Sequence, residues 1–288
     1  MSTILRSRMI ADLRIRNYSE RTVDTYTRCV AAFANYFHRS PHALGVEEVR
    51  EYQIYLVETK KASFSLLNQT VSALRFLYGV TLGRPETIDF IPYPRPEKRL
   101  PVILSLEEIG KFFGCVGNLK YRTVLMTMYG SGLRISEALG LRLSDIDSQR
   151  MVLRVEQGKG KKDRYADLAP TLLSKLREYW RARRPQSWLF PGSSLDHPLT
   201  ATTVQKASGQ ARRKAGIQKP VTTQTMRHCY ATHQLEAGRD LRTIQMRLGH
   251  RSLNTTAIYL HVAAAGQRSP TNKAIDLLEL AQADLSKR

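Results

Sequence analysis

The stretch TTQTMRHCYATH, residues 222–233, sets Arg227 and His228 side by side. The core-like neighbours Met226, Cys229, Tyr230 and Leu235 predict a buried helix there. A guanidinium buried without a partner is costly, so Arg227 needs a reason to be present. Gln224 precedes it by three residues and shares its helix face. Four more residues have types that could do chemistry: Arg134 in GSGLRISEAL, Lys159 in GKGKKD, His250 in LGHRS and Tyr259 in TTAIYLHV. Guanidinium and ammonium groups bind anions, and imidazole and phenol exchange protons. Taken singly, each residue also has an ordinary reading. An arginine at a helix start pairs with a carboxylate, a turn lysine is solvated, a histidine ending a helix caps it, and a tyrosine packs.

The elements that must position these residues are mostly helices. Residues 1–82 read as a four-helix unit, with Ser19 and Ser63 or Ser65 as N-cap candidates. Val23, Tyr26, Val30, Phe33 and Phe37 recur at helical spacing. Residues 83–101 hold five prolines and read as an extended linker. A second unit, residues 102–270, opens with a capping box at Ser105 and Glu108. RISEALGLRLSDI reads as helix and then turn, and residues 151–169 as a β-hairpin with a lysine-rich tip. The remaining segments up to residue 270 return to helix. The tail, 271–288, carries an apolar stripe at Ile275, Leu278, Ala281 and Leu285, which needs a partner surface in its own subunit or a neighbour. The expected fold is therefore mainly α with a small β-sheet.

Charge narrows the function. The chain carries 45 Lys and Arg against 25 Asp and Glu, a formal net charge of +20. The commonest partner of such an excess is a polyphosphate backbone. No stretch has the apolar length of a membrane span, and the charged N-terminus lacks a signal-peptide core. Cys29, Cys115 and Cys229 are far apart and lack metal-ligand spacing, which predicts reduced core thiols in a cytoplasmic protein. No acidic cluster with metal spacing, P-loop or dinucleotide fingerprint occurs.

Order and spacing then change the weight of the single residues. GLRISEAL, GKGKKDR, TMRHCYATH and LGHRSLNTTAIYLHV, in that order, resemble the tyrosine recombinases, in particular the Xer-type and phage-integrase members. The resemblance covers essentially the whole chain. It implies a helical core-binding domain and a catalytic domain that close on double-stranded DNA as a C-shaped clamp. It implies Tyr259 as the nucleophile that forms a 3′-phosphotyrosyl link, with Arg134 and Arg227 clamping the phosphate. By the same resemblance Lys159 is the general acid, His250 a hydrogen-bond donor to the phosphate, and His228 a structural helper. Glu137 and Asp145 match positions that brace the Arg134 loop. Neither metal, ATP nor another cofactor is expected, and recombinases of this kind act as tetramers on DNA, sometimes with a related recombinase.

One position departs from the pattern. Where the family usually has histidine, three residues before the second arginine, this chain has Gln224. Glutamine keeps hydrogen bonding but cannot take a proton at neutral pH. The expectation is an active enzyme in which Gln224 orients the phosphate or Tyr259 while solvent or another group accepts the Tyr259 proton; the competing expectation is a slow or defective enzyme. The alternatives are a non-catalytic DNA-binding protein of this fold and a DNA-relaxing enzyme resembling type IB topoisomerases. Neither the DNA target nor the choice between integration, excision, resolution and cassette movement can be read from these residues.

Overall fold

The computed structural model describes residues 3–95, 100–156 and 163–266. Two compact units divide the chain, Met1–Lys98 and Arg99–Arg288. In the first, the helices are α1 (Thr3–Ile15), α2 (Glu20–Phe37), α3 (Val46–Ile54) and α4 (Phe64–Phe76). Ser19 and Ser63 start α2 and α4, accepting the Thr22 and Leu66 amide hydrogens that have no partner within the helix. Val23, Val30 and Phe33 of α2 meet Val71 and Leu74 of α4 in the core. Tyr78 is fully buried, and its hydroxyl donates to the Leu44 carbonyl at 3.0 Å. Extended chain was expected from residue 83. Instead Pro85–Phe90 form a 3-10 turn, and Ile91 is buried in this unit's core. Proline tolerates the first turn of a helix, and the buried Ile91 helps to hold the chain against this core. Arg75 adds a hydrogen bond to the Ile91 carbonyl at 2.9 Å.

The second unit contains α5 (Leu106–Gly114), α6 (Leu119–Ser131), α7 (Ile135–Leu139), α8 (Pro170–Arg183), α9 (Ala201–Lys214), α10 (Thr223–Glu236), α11 (Leu241–Leu248) and α12 (Leu253–Gly266). Ser105 and Glu108 each accept the other's amide hydrogen at the start of α5. α6 packs on α8 and α10, and α10 in turn carries α11 and α12. Burial on several sides explains why nine of the fourteen residues of α10 are buried and why it has no clean polar face.

A three-stranded antiparallel sheet, β1 (Ile146–Asp147), β2 (Val152–Val155) and β3 (Arg164–Asp167), lies beside these helices. Leu153 pairs with Ala166 on the buried face, and Arg154 with Tyr165 on the exposed one. β2 and β3 match the expected hairpin. β1 was not expected: the residues after α7 form a 3-10 turn, Leu143–Asp145, and then pair with β2. Asp145 accepts the Arg142 amide hydrogen at 2.8 Å, and this local bond competes with continued helix.

His233 is buried in α10, with Nε2 at 3.0 Å from the Leu104 carbonyl and Nδ1 at 2.9 Å from the Tyr129 hydroxyl. A carbonyl only accepts, so Nε2 carries the hydrogen and Nδ1 takes the Tyr129 proton bond. Cys29 and Cys229 are buried, Cys115 is half-buried, and all three are free thiols. Among the described residues no helix is long and apolar enough to cross a membrane.

Candidate active site

The site is assembled around one carboxylate. Glu137, in the first turn of α7, accepts the Arg134 backbone amide at 2.8 Å and the Arg134 guanidinium at 2.7 Å. Arg164, at the start of β3, donates to both Glu137 oxygens, at 2.9 and 2.8 Å. Arg227 stands 3.7 Å from the same carboxylate. Burial works to raise the Glu137 carboxyl, but the hydrogen bond and charge of Arg164 and the hydrogen bonds of Arg134 overcome it and take it to about 2. Three guanidiniums around one carboxylate leave this place positive, which suits an entering anion.

Arg227 is 1% exposed, and its hydrogen-bond partners answer why the buried helix tolerates it. Its NH1 donates to the Gly132 carbonyl at 2.7 Å and its NH2 to the Leu248 carbonyl at 2.6 Å. Both acceptors end helices, where backbone carbonyls lack partners. Burial is the main force lowering the Arg227 pKa, to about 9, so the group stays charged at neutral pH. Gly132 makes this packing possible. Its φ is +64°, and a Cβ there would come within 2.5 Å of the Tyr230 ring. Gly249, φ +65°, likewise leaves room for Arg164, whose Cδ would lie 2.9 Å from a Cβ.

Tyr259, on α12, is 2% exposed, and its hydroxyl lies 2.9 Å from His228 Nδ1. The His250 ring stacks along the Tyr259 ring, with centroids 6.4 Å apart and planes at 16°. His250 Nδ1 is 2.8 Å from the Thr256 hydroxyl, so its other ring nitrogen is left for a ligand. Burial raises the Tyr259 pKa, while the charges of Arg227 and Arg134 pull it down. Those two arginines therefore stabilise a phenolate at Tyr259.

Arg134, Glu137, Arg227, His228, His250 and Tyr259 thus come together. Gln224 is exposed at the start of α10, and its side chain makes no hydrogen bond among the described residues. Lys159 lies outside the described residues, as does the tail stripe at Ile275, Leu278, Ala281 and Leu285. Asp145 is buried but bonds Arg142 and Arg154, so it holds the turn after α7 rather than Arg134 itself. Arg164 received no role from the sequence. The available signal was its place directly after the lysine-rich tip, at the start of a strand with a buried face. Asp167 was also missed. It accepts from Tyr230, Arg239 and Arg247 and ties β3 to α10 and α11.

Three histidines, His233 buried and His228 and His250 half-buried, make stability fall in acid. Burial, mainly, lowers His228 and His233 to about 4 and His250 to about 3. Below the ordinary histidine pKa, 6.5, the unfolded chain takes up protons that these folded rings refuse. Their contribution to stability is therefore lost progressively as pH falls from 6.5 towards 4. We expect the DNA-free protein's Tm to drop by at least ~5 °C between about pH 7.5 and 4.5, read by calorimetry. A flat Tm over that interval would contradict the neutral rings.

A helical unit followed by a unit that gathers three arginines, two histidines and a tyrosine in one place is the arrangement of the tyrosine recombinases. The model of the Phage integrase family matches residues 105–265, and that of the phage integrase N-terminal SAM-like domain matches residues 5–88. A putative integrase/recombinase, y4qK, of Sinorhizobium fredii is 50% identical, covering 91% of this chain and 85% of the relative. Tyrosine recombinase XerA of Pyrococcus horikoshii is 32% identical, covering 91% and 90%. The crystal structure of XerH site-specific recombinase bound to a palindromic difH substrate superposes with a TM-score of 0.68 at 25% identity, covering 87% of this chain and 79% of that one. The chain belongs to the phage integrase family, whose tyrosine recombinases act in DNA recombination and integration.

Proposed function

We propose that this chain is a site-specific recombinase that cuts and rejoins double-stranded DNA through a 3′-phosphotyrosyl link on Tyr259. The observation that carries the reading is the Tyr259 hydroxyl, buried on α12 within the field of Arg134 and Arg227. As the phenol oxygen bonds to phosphorus, charge builds on the non-bridging oxygens. The remaining guanidinium donors of Arg134 and Arg227 and the free nitrogen of His250 stabilise that charge. Arginine in these places supplies the positive charge of the reaction, and the phosphotyrosyl bond conserves the energy of the phosphodiester, so the step proceeds without metal or ATP. Lys159 protonates the leaving 5′-oxygen. Both units bind the duplex, and a tetramer of this chain, or an assembly with a related recombinase, brings two sites together. The basic charge of the chain supports DNA as the partner.

A suicide duplex nicked beside the scissile phosphate tests this, incubated with chelator and without nucleotide. A covalent DNA–protein band on a denaturing gel is expected, absent in Tyr259→Phe. Binding of a correct site with no covalent band would favour the non-catalytic reading.

A further inference from the structure

We propose that His228 accepts the Tyr259 proton through Nδ1 and so fills the role that Gln224 cannot. The inference rests on the recombinase reading above. Gln224 and His228 are one turn apart on α10, so they share a face. Gln224 is exposed, whereas His228 Nδ1 stands 2.9 Å from the Tyr259 hydroxyl. Direct proton transfer needs this separation. The buried hydroxyl of Tyr259 has a hydrogen to place, and His228 Nδ1 is its acceptor among the described residues. The tautomer with hydrogen on Nε2 therefore satisfies both groups. His250 is less suited, because its Nδ1 is occupied by Thr256 and its ring stacks on the Tyr259 ring.

The charged and titratable groups that face His228, among the described residues, are Arg227 on α10, Tyr259 on α12 and His250 after α11. Burial first, and Arg227 second, keep the imidazole neutral without DNA, so Nδ1 has a free lone pair. An entering phosphate carries negative charge that offsets Arg227 and makes the ring more basic as the reaction begins. The proton then moves from Tyr259 Oη to His228 Nδ1, which becomes imidazolium. The phenol oxygen bonds to phosphorus, the bond from phosphorus to the 5′-oxygen breaks, and that oxygen takes a proton from the general acid. In rejoining, the 5′-hydroxyl returns its proton to the deprotonated general acid as it attacks phosphorus, the tyrosyl bond breaks, and imidazolium returns the proton to Tyr259.

Single-turnover cleavage of the suicide duplex, followed from about pH 5.5 to 9, is the test. His228→Asn keeps an acceptor near Nδ1 but cannot take a proton. Its rate is expected to fall ~10²–10⁴-fold and to lose the acidic limb of the wild-type profile. A 5′-bridging phosphorothiolate, whose sulfur leaves without a proton, is expected not to restore it. His228→Ala gives a second arm: added imidazoles restore cleavage, faster as their basicity rises, and do nothing for Tyr259→Phe. His228→Asn cleaving within about threefold of wild type with an unchanged pH profile would overturn the proposal, since a general base is worth far more. Rescue of His228→Asn by the phosphorothiolate, or rescue of His228→Ala that is indifferent to basicity, would also overturn it. Absence of a Tyr259 adduct in the wild type would instead remove the recombinase reading itself.

Discussion

Arg227→Lys is expected to slow single-turnover cleavage ~10²–10³-fold while leaving DNA affinity within a few-fold. The guanidinium has donors enough to hold the Gly132 and Leu248 carbonyls and still offer hydrogen bonds to a phosphate. An ammonium is a compact point charge with three donors and no planar fork. In that buried place it either satisfies the two carbonyls or meets the phosphate, and charge developing in the transition state loses its clamp. Affinity is little changed because many basic residues share the phosphate contacts of a chain with net charge +20. Rates on the suicide duplex and a mobility-shift titration at one salt concentration separate the two effects. A rate for Arg227→Lys within about tenfold of wild type would mean that Arg227 serves the fold and not the phosphate.

Removing the carboxylate at the centre should cost more in stability than any surface change. Glu137→Ala leaves Arg134, Arg164 and Arg227 facing one another without their shared counter-charge. Breaking a buried ion pair on one side costs ~3–5 kcal/mol. In a domain of this size that corresponds to a Tm loss on the order of 10 °C. Sulfate, which can stand among the three guanidiniums, is expected to raise the variant's Tm more than that of the wild type. Glu137 also has its own acid dependence. With its folded pKa about 2 against 4.5 ordinarily, its contribution is present above 4.5 and disappears as pH falls towards 2. Calorimetry of both proteins with and without sulfate reads all of this. An unchanged Tm in Glu137→Ala would show that solvent already screens the three arginines.

Local chemistry made much of the chain legible without coordinates. Ser19, Ser63 and Ser105 cap helices because a side-chain oxygen next to unpaired amides is a short-range signal. Leu153 and Val155 face inward on β2 because alternation has a period of two. Four motifs in order pointed to the family and to Arg134, Arg227, His250 and Tyr259. What the sequence could not carry were partnerships over long separations. Arg164 reaches Glu137 across 27 residues and the Arg247 carbonyl across 83. Nothing local to RYADL signals either contact. The two-residue β1 was equally hidden, because it exists only by pairing with β2. By the resemblance His228 looked like a structural helper. Only the packing of α12 against α10 sets its Nδ1 on the Tyr259 hydroxyl, 31 residues away, while Gln224 one turn earlier remains at the surface. Residue types and spacing thus pointed to several of the groups gathered here, though not to Arg164. The tertiary structure decided which of them touch, because side-chain proton and charge transfer depend on separations of a few ångströms that spacing along the chain does not set.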